Sequence, residues 1–197
     1  MGDLRTPPRA DDAPATTSKQ SGDLAAAARA AQGDEGDSVV AKTVTISRPR
    51  EELYAFWRDF ANLPRFMENV VSVEPIDDRR SRWVVKAPAG QTVEWIAAVT
   101  QDEPGTLIAW QSEDGADVPN SGQVSFTDAP GGRGTWVSAT IAYDPPAGII
   151  GKVIAKMFQR EPAIQARREL RRFKQLMETG EIATGAHTHA QLAEETD

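Results

Sequence analysis

The chain has 197 residues, enough for one domain of ordinary size plus tails. A formal net charge of -7 gives no global field that favours DNA or RNA, so nucleic acid is not an expected partner. With no cysteine, disulfides, thiolate metal sites and a cysteine nucleophile are excluded, and a reducing cytoplasm is the expected compartment.

Hydrophobic residues make up 40%, low for a fully folded chain, so the apolar residues must be concentrated in part of it. Residues 1–37 are rich in Pro, Ala, Asp, Gly, Ser and Thr, with only Leu4 and Leu24 as large aliphatic residues. Such a segment cannot bury enough surface to offset its ordering entropy, and it reads as a disordered tail. Residues 182–197 read the same way, which leaves 38–181 as the folded domain. The N-terminus has no apolar stretch of the kind a signal peptide needs. No apolar run approaches the roughly 20 residues that span a bilayer.

The first element is a strand. In VVAKTVTIS, β-branched residues alternate from Val39 to Ser47. Pro49 suits the entry to a helix, and EELYAFWRDF then places Leu53, Phe56, Trp57 and Phe60 at helical spacing. Asn62-Leu63-Pro64 breaks that helix, and PRFMENV is expected to start a second short one. From Val70 the period becomes two. VVSVEPID, SRWVVKA, QTVEWIAAVTQ, TLIAWQSE, QVSFTDA and TWVSATIAY follow as strands, separated by Asp, Pro and Gly turns. DGADVPNSG reads as a polar loop within that series. The last part is helical. IIGKVIAKMF comes first, and Glu161-Pro162 then begins or kinks a final helix with Ile164, Leu170, Phe173, Leu176 and Met177 as its apolar stripe. Gly180 is its stop.

Seven strands, six of them consecutive, imply an antiparallel meander. The fold class is therefore α+β: a curved antiparallel seven-stranded sheet wrapped around a long C-terminal helix, with two short helices after strand 1. Only the last helix is long enough to cover the sheet's apolar face, and curling leaves room for a ligand beneath it.

AFWRDFANLPRFMENV, RWVVKAPAGQTVEW and YDPPAG followed by a long helix carry a resemblance. From Val39 to Glu181 the chain resembles the START-like (SRPBCC, helix-grip) superfamily, in its polyketide cyclase/dehydrase and coenzyme Q-binding-like branch. The resemblance implies a helix-grip cavity. It does not choose among lipid carriers and cyclases.

The expected ligand-binding residues are aromatic. Trp83, Trp95, Trp110, Phe126 and Tyr143 fall on strands, with Trp95, Trp110 and Tyr143 on inward positions. Phe56, Phe66, Met157 and Phe158 could close the ends, and Ser112 is a polar contact or a hydroxyl bonded to backbone. His187 and His189, the only histidines, lie in the tail, where neither a metal site nor a general base is expected. With Glu94 and Asp102 outward or in turns, acid–base catalysis has no obvious inward agent. No phosphate-binding glycine motif is present, and no cofactor is implied. Arg167, Arg168, Arg171, Arg172 and Lys174 give the final helix a basic face, read either as a solvated surface or as a contact for anionic membrane. The residues point to non-catalytic binding or transport of a hydrophobic small molecule. A cyclase or dehydratase and a protein-interaction module are the alternatives.

Overall fold

The computed structural model of the chain describes residues 38–87, 90–143 and 162–183; for 38–40, 143 and 162–164 the description is of backbone alone. The first strand, β1 (Ser38–Ile46), leads into helix α1 (Arg50–Arg58) and a 3-10 helix (Phe60–Arg65). Strands β2 (Val70–Pro75), β3 (Arg80–Lys86), β4 (Thr92–Glu103), β5 (Leu107–Ser112), β6 (Asn120–Asp128) and β7 (Thr135–Tyr143) follow. Helix α2 (Pro162–Thr179) closes the described chain.

The strands form one antiparallel sheet in the order β1-β7-β6-β5-β4-β3-β2. Strands β2 to β7 are a meander, and β1 pairs with β7 from Ser38↔Tyr143 to Ile46↔Thr135. The two edges are thus β1 and β2, and α1 with the 3-10 helix carries the chain from one edge to the other. Register shifts at Val70/Ser72 and Val99/Gln101 add local twist and bend. Arg79 holds the second of these, donating through Nη2 to Val99 O at 2.8 Å.

The concave face is apolar because the inward positions alternate as the sequence pattern requires. Val93, Ala97 and Val99 of β4, Ile108 of β5, Val124 and Phe126 of β6 and Val137 and Ala139 of β7 are all buried. On α2, Leu170, Phe173 and Leu176 are buried at three-residue steps and join the same core. Phe173 is the hub of an aromatic cluster. Its ring lies 5.1 Å from Trp57, 4.8 Å from Phe66 and 5.8 Å from Phe56, centroid to centroid. Three offset or edge contacts of this kind add to the area term, so α2 is strongly held at this point.

The C-terminal end of α2 is tied to the β1–α1 junction by polar contacts. Arg48 Nε donates to Met177 O at 2.8 Å, Lys174 Nζ to Thr45 O at 2.8 Å, and Ser47 N to Glu178 Oε1 at 2.6 Å. Arg48 and Lys174 place positive charge at the helix end where the carbonyls are unpaired. Gly180, with φ +81°, ends the helix and donates to Leu176 O at 2.8 Å.

Two expectations are corrected. The sequence pattern predicts a second short helix from Pro64 onward; the helical turn instead runs over Phe60–Arg65 with Pro64 inside it and ends before Phe66. Pro64 has no backbone N–H to donate, and the turn is held instead by Asn62 N to Asp59 O at 2.9 Å and Phe66 N to Leu63 O at 3.1 Å on either side of it. The polar loop before β6 is shorter than expected, since β6 begins at Asn120 and Val118 is buried against Val85 and Val93. The helical stretch IIGKVIAKMF, the turn YDPPAG and the two expected tails, but for a few residues after α2, lie outside the described residues.

Candidate functional site

A cavity of about 150 Å³ lies between the concave face of the sheet and α2. Among the described residues its walls come from nearly every element. Alternation on β3 and β4 sends Ser81, Trp83 and Val85, then Trp95, Ala97 and Val99, into it. Trp110 enters from β5, and Ala139 and Ile141 from β7. Trp57, Phe60, Leu63 and Met67 close it from the crossing segment. Gln165, Ala166, Glu169 and Leu170 are its α2 wall.

Four indoles therefore share one small space. Trp83 and Trp95 are register partners across β3 and β4, and their rings stack at 6.1 Å with planes 11° apart. The Trp83 indole nitrogen donates to Ser81 Oγ at 3.0 Å. Phe60 lies 6.2 Å from the Trp83 ring. Trp110 faces Gly122 across β5 and β6.

The polar groups of the wall are few. They are Asn69, Ser81, Asn120, Gln165 and Glu169. Asn120 Nδ2 donates to Val118 O at 2.8 Å. Gln165 Nε2 donates to Glu169 Oε1 at 3.1 Å, one helical turn away. Enclosure by protein pushes the Glu169 carboxyl up to about 7, and nearby Glu68 adds to the rise. The Gln165 hydrogen bond and the Arg172 charge act in the opposite sense.

Glu169 corrects the expectation that no ionisable group faces inward. A signal for it was present. Glu169 stands three residues after Ala166 and four before Phe173, on the helix's own apolar stripe. The neighbouring arginines masked it, because a run of charges reads as a solvated face.

The ten expected ligand-binding residues separate into groups. Trp83, Trp95 and Trp110 line the cavity. Phe66 and Phe126 are fully buried in the core and are not among its lining residues, and Phe56 packs on Phe173, with the Arg65 guanidinium over its ring at 5.2 Å. Ser112 is bonded to backbone, its Oγ accepting from Asn120 N at 3.0 Å. The Tyr143 side chain, Met157 and Phe158 lie outside the described residues. Val118 and Asn120, read as loop, are wall residues instead.

The basic face of α2 is largely engaged within the molecule. Arg172 Nε donates to Phe66 O at 2.9 Å, Arg168 pairs with Glu68 at 3.3 Å, and Lys174 bonds Thr45 O. The first two pull α2 onto the segment that closes the cavity. No helix among the described residues is long and apolar enough to cross a membrane.

Comparison with known proteins gives a consistent picture. The sequence profile of a family described as polyketide cyclase / dehydrase and lipid transport matches residues 46–171. A solved protein from Deinococcus radiodurans is 46% identical, with a TM-score of 0.62 over 74% of this chain and 100% of its own. One from Thermus thermophilus is 24% identical, with a TM-score of 0.58 over 70% of this chain and 95% of its own. The Zhui aromatase/cyclase from a Streptomyces species is 16% identical and shares the fold, with a TM-score of 0.57 over 74% of this chain and 99% of its own. No curated protein matches the chain.

Proposed function

The chain belongs to the polyketide cyclase / dehydrase and lipid transport family, and from that premise we propose that it binds or carries a hydrophobic small molecule without transforming it. The observation that carries this reading is the cavity between sheet and α2, with four indoles and a few polar groups in its wall. Apolar enclosure supplies affinity and the scattered polar atoms supply orientation. Lipids, quinones, isoprenoids and polyketide-like molecules share the required character. At about 150 Å³ the cavity holds one ring-sized group, so a longer ligand would place only its head there. Work in the cytoplasm accords with the absence of cysteine. Contact with anionic membrane would draw mainly on the exposed Arg171, since Arg168, Arg172 and Lys174 hold partners within the molecule and the Arg167 Nε is buried.

The test is native mass spectrometry of the freshly purified chain, together with titration by the neutral apolar fluorophore N-phenyl-1-naphthylamine. Saturable binding that weakens about tenfold in Trp95→Ala or Trp110→Ala, with folding intact by circular dichroism, is the expected result. A chain that takes up neither co-purifying ligand nor probe would defeat the proposal.

A second reading, a cyclase or dehydratase, is favoured by one observation: Glu169 is an ionisable group inside the cavity whose carboxyl is poised near neutrality. Turnover of a poly-β-ketone substrate, lost in Glu169→Gln, would establish it in place of the carrier.

A further inference from the structure

Glu169 is out of keeping with its surroundings. It lies in the cavity wall beside Ala166 and Leu170, and its one side-chain donor among the described residues is Gln165 on the same helix. Of the arginines near it on α2, Arg172 donates to Phe66 O and Arg168 pairs with Glu68, and Arg167, whose Nε is buried with no hydrogen-bond partner among the described residues, is not one of the lining residues. Glu68, on the segment packed against α2, adds a second negative charge nearby. The opposite wall, Trp83 stacked on Trp95, brings no charge at all. Among the described lining residues Glu169 is the only charged side chain, so none of them would compensate a second anion placed beside the carboxyl.

We infer that Glu169 sets the charge selectivity of the cavity, accepting neutral ring-sized ligands through a hydroxyl and turning away ligands that carry a carboxylate. A hydroxyl donated to a carboxylate makes a charge-assisted hydrogen bond, which is strong where water is sparse. A ligand carboxylate in the same place meets like charge in a low-dielectric space and must also give up its hydration. The stacked indoles offer an aromatic ring a flat partner, and the cavity volume is that of a site for a single ring. Free fatty acids with the head group inward are therefore disfavoured, and hydroxylated aromatic rings are favoured. The inference rests on the proposed binding role of the cavity.

The experiment compares toluene, p-cresol and benzoate, three one-ring probes, by NMR shift titration of the full chain at pH 8. In the wild type p-cresol binds about five- to tenfold more tightly than toluene, and benzoate at least tenfold more weakly than p-cresol. In Glu169→Leu the advantage of p-cresol over toluene disappears. In Glu169→Gln the benzoate affinity rises severalfold while p-cresol still binds, which separates loss of charge from loss of fold. Equal affinities for all three probes in the wild type, or an unchanged ranking in Glu169→Leu, would overturn the inference while leaving the cavity's binding role intact. If not even toluene binds, the cavity reading itself fails, and this inference with it.

Discussion

The indole of Trp110 lies directly over the bare backbone of Gly122, its register partner on β6. A Cβ built on Gly122 would come 2.9 Å from Trp110 Cη2 and 2.8 Å from Thr140 O, with Trp110 Cζ2 closer still. The glycine has no positive φ; it is required by space alone. The inward position of β6 is left empty so that the ring of β5 can lie across it and form part of the cavity wall. Gly122→Ala must push the indole aside. We expect a loss of about 1–3 kcal/mol, or several degrees in Tm, and a weaker fluorophore titration. Trp110→Leu in the same chain should recover part of the stability, because the two changes share one contact. Additive losses in a double-mutant cycle would contradict this account.

Glu169 predicts a pH dependence with a defined sign. Its folded-state carboxyl is pushed up to about 7 from an ordinary 4.5. Between those values the folded chain keeps a proton that the unfolded chain has lost. Stability contributed by this group is therefore full below about 4.5, falls as pH rises to about 7 and is flat above. The drop is on the order of 1–3 kcal/mol. Urea unfolding at pH 5 and pH 8 should show Glu169→Gln relatively more stable than wild type at the higher pH. An identical wild-type-to-variant difference at both values would refute the assignment.

Asp102, the register partner of Ile108, joins α1 to β4. Tyr54 Oη donates to Asp102 Oδ1, and Arg58 Nε donates to Oδ2 at 2.7 Å. Burial pushes the Asp102 carboxyl up, but the hydrogen bonds from Tyr54 and Arg58 outweigh it and hold it below its usual value. Partial burial pushes the Tyr54 phenol up to about 12, with Asp102 adding to the effect. Asp102→Asn should cost about 1 kcal/mol at pH 7, since both partners are only partly buried. The cost should shrink as pH falls below about 4, where the wild-type carboxylate is itself lost. Chemical unfolding at pH 7 and pH 3 reads the difference.

Phe173 anchors α2 through its contacts to Trp57, Phe66 and Phe56. Truncation to Ala leaves a cavity among three rings that cannot all collapse into it. We expect a loss of about 3–5 kcal/mol by urea unfolding. Phe173→Leu should cost less than half of that. If both variants unfold like the wild type, α2 is not held where the structure puts it.

The alternation of β4 and β5 puts Trp95 and Trp110 on the inward face, because a strand's period of two leaves only one choice once its apolar face is known, whereas Trp83 is read only as a strand residue and its place in the wall comes from the structure. The stripe of α2 was legible for the same kind of reason. Neither pattern could separate wall from core. Phe66 and Phe126 are as aromatic as Trp83, yet they face Phe173, Trp57 and Tyr54 instead of the cavity, and that depends on how far the sheet curls. The place of Glu169 was decided by the rotation of α2, which Phe173 and the Arg172–Phe66 contact set across 106 residues of chain. Local sequence determines which side of an element is apolar; only packing between distant elements determines what that side meets.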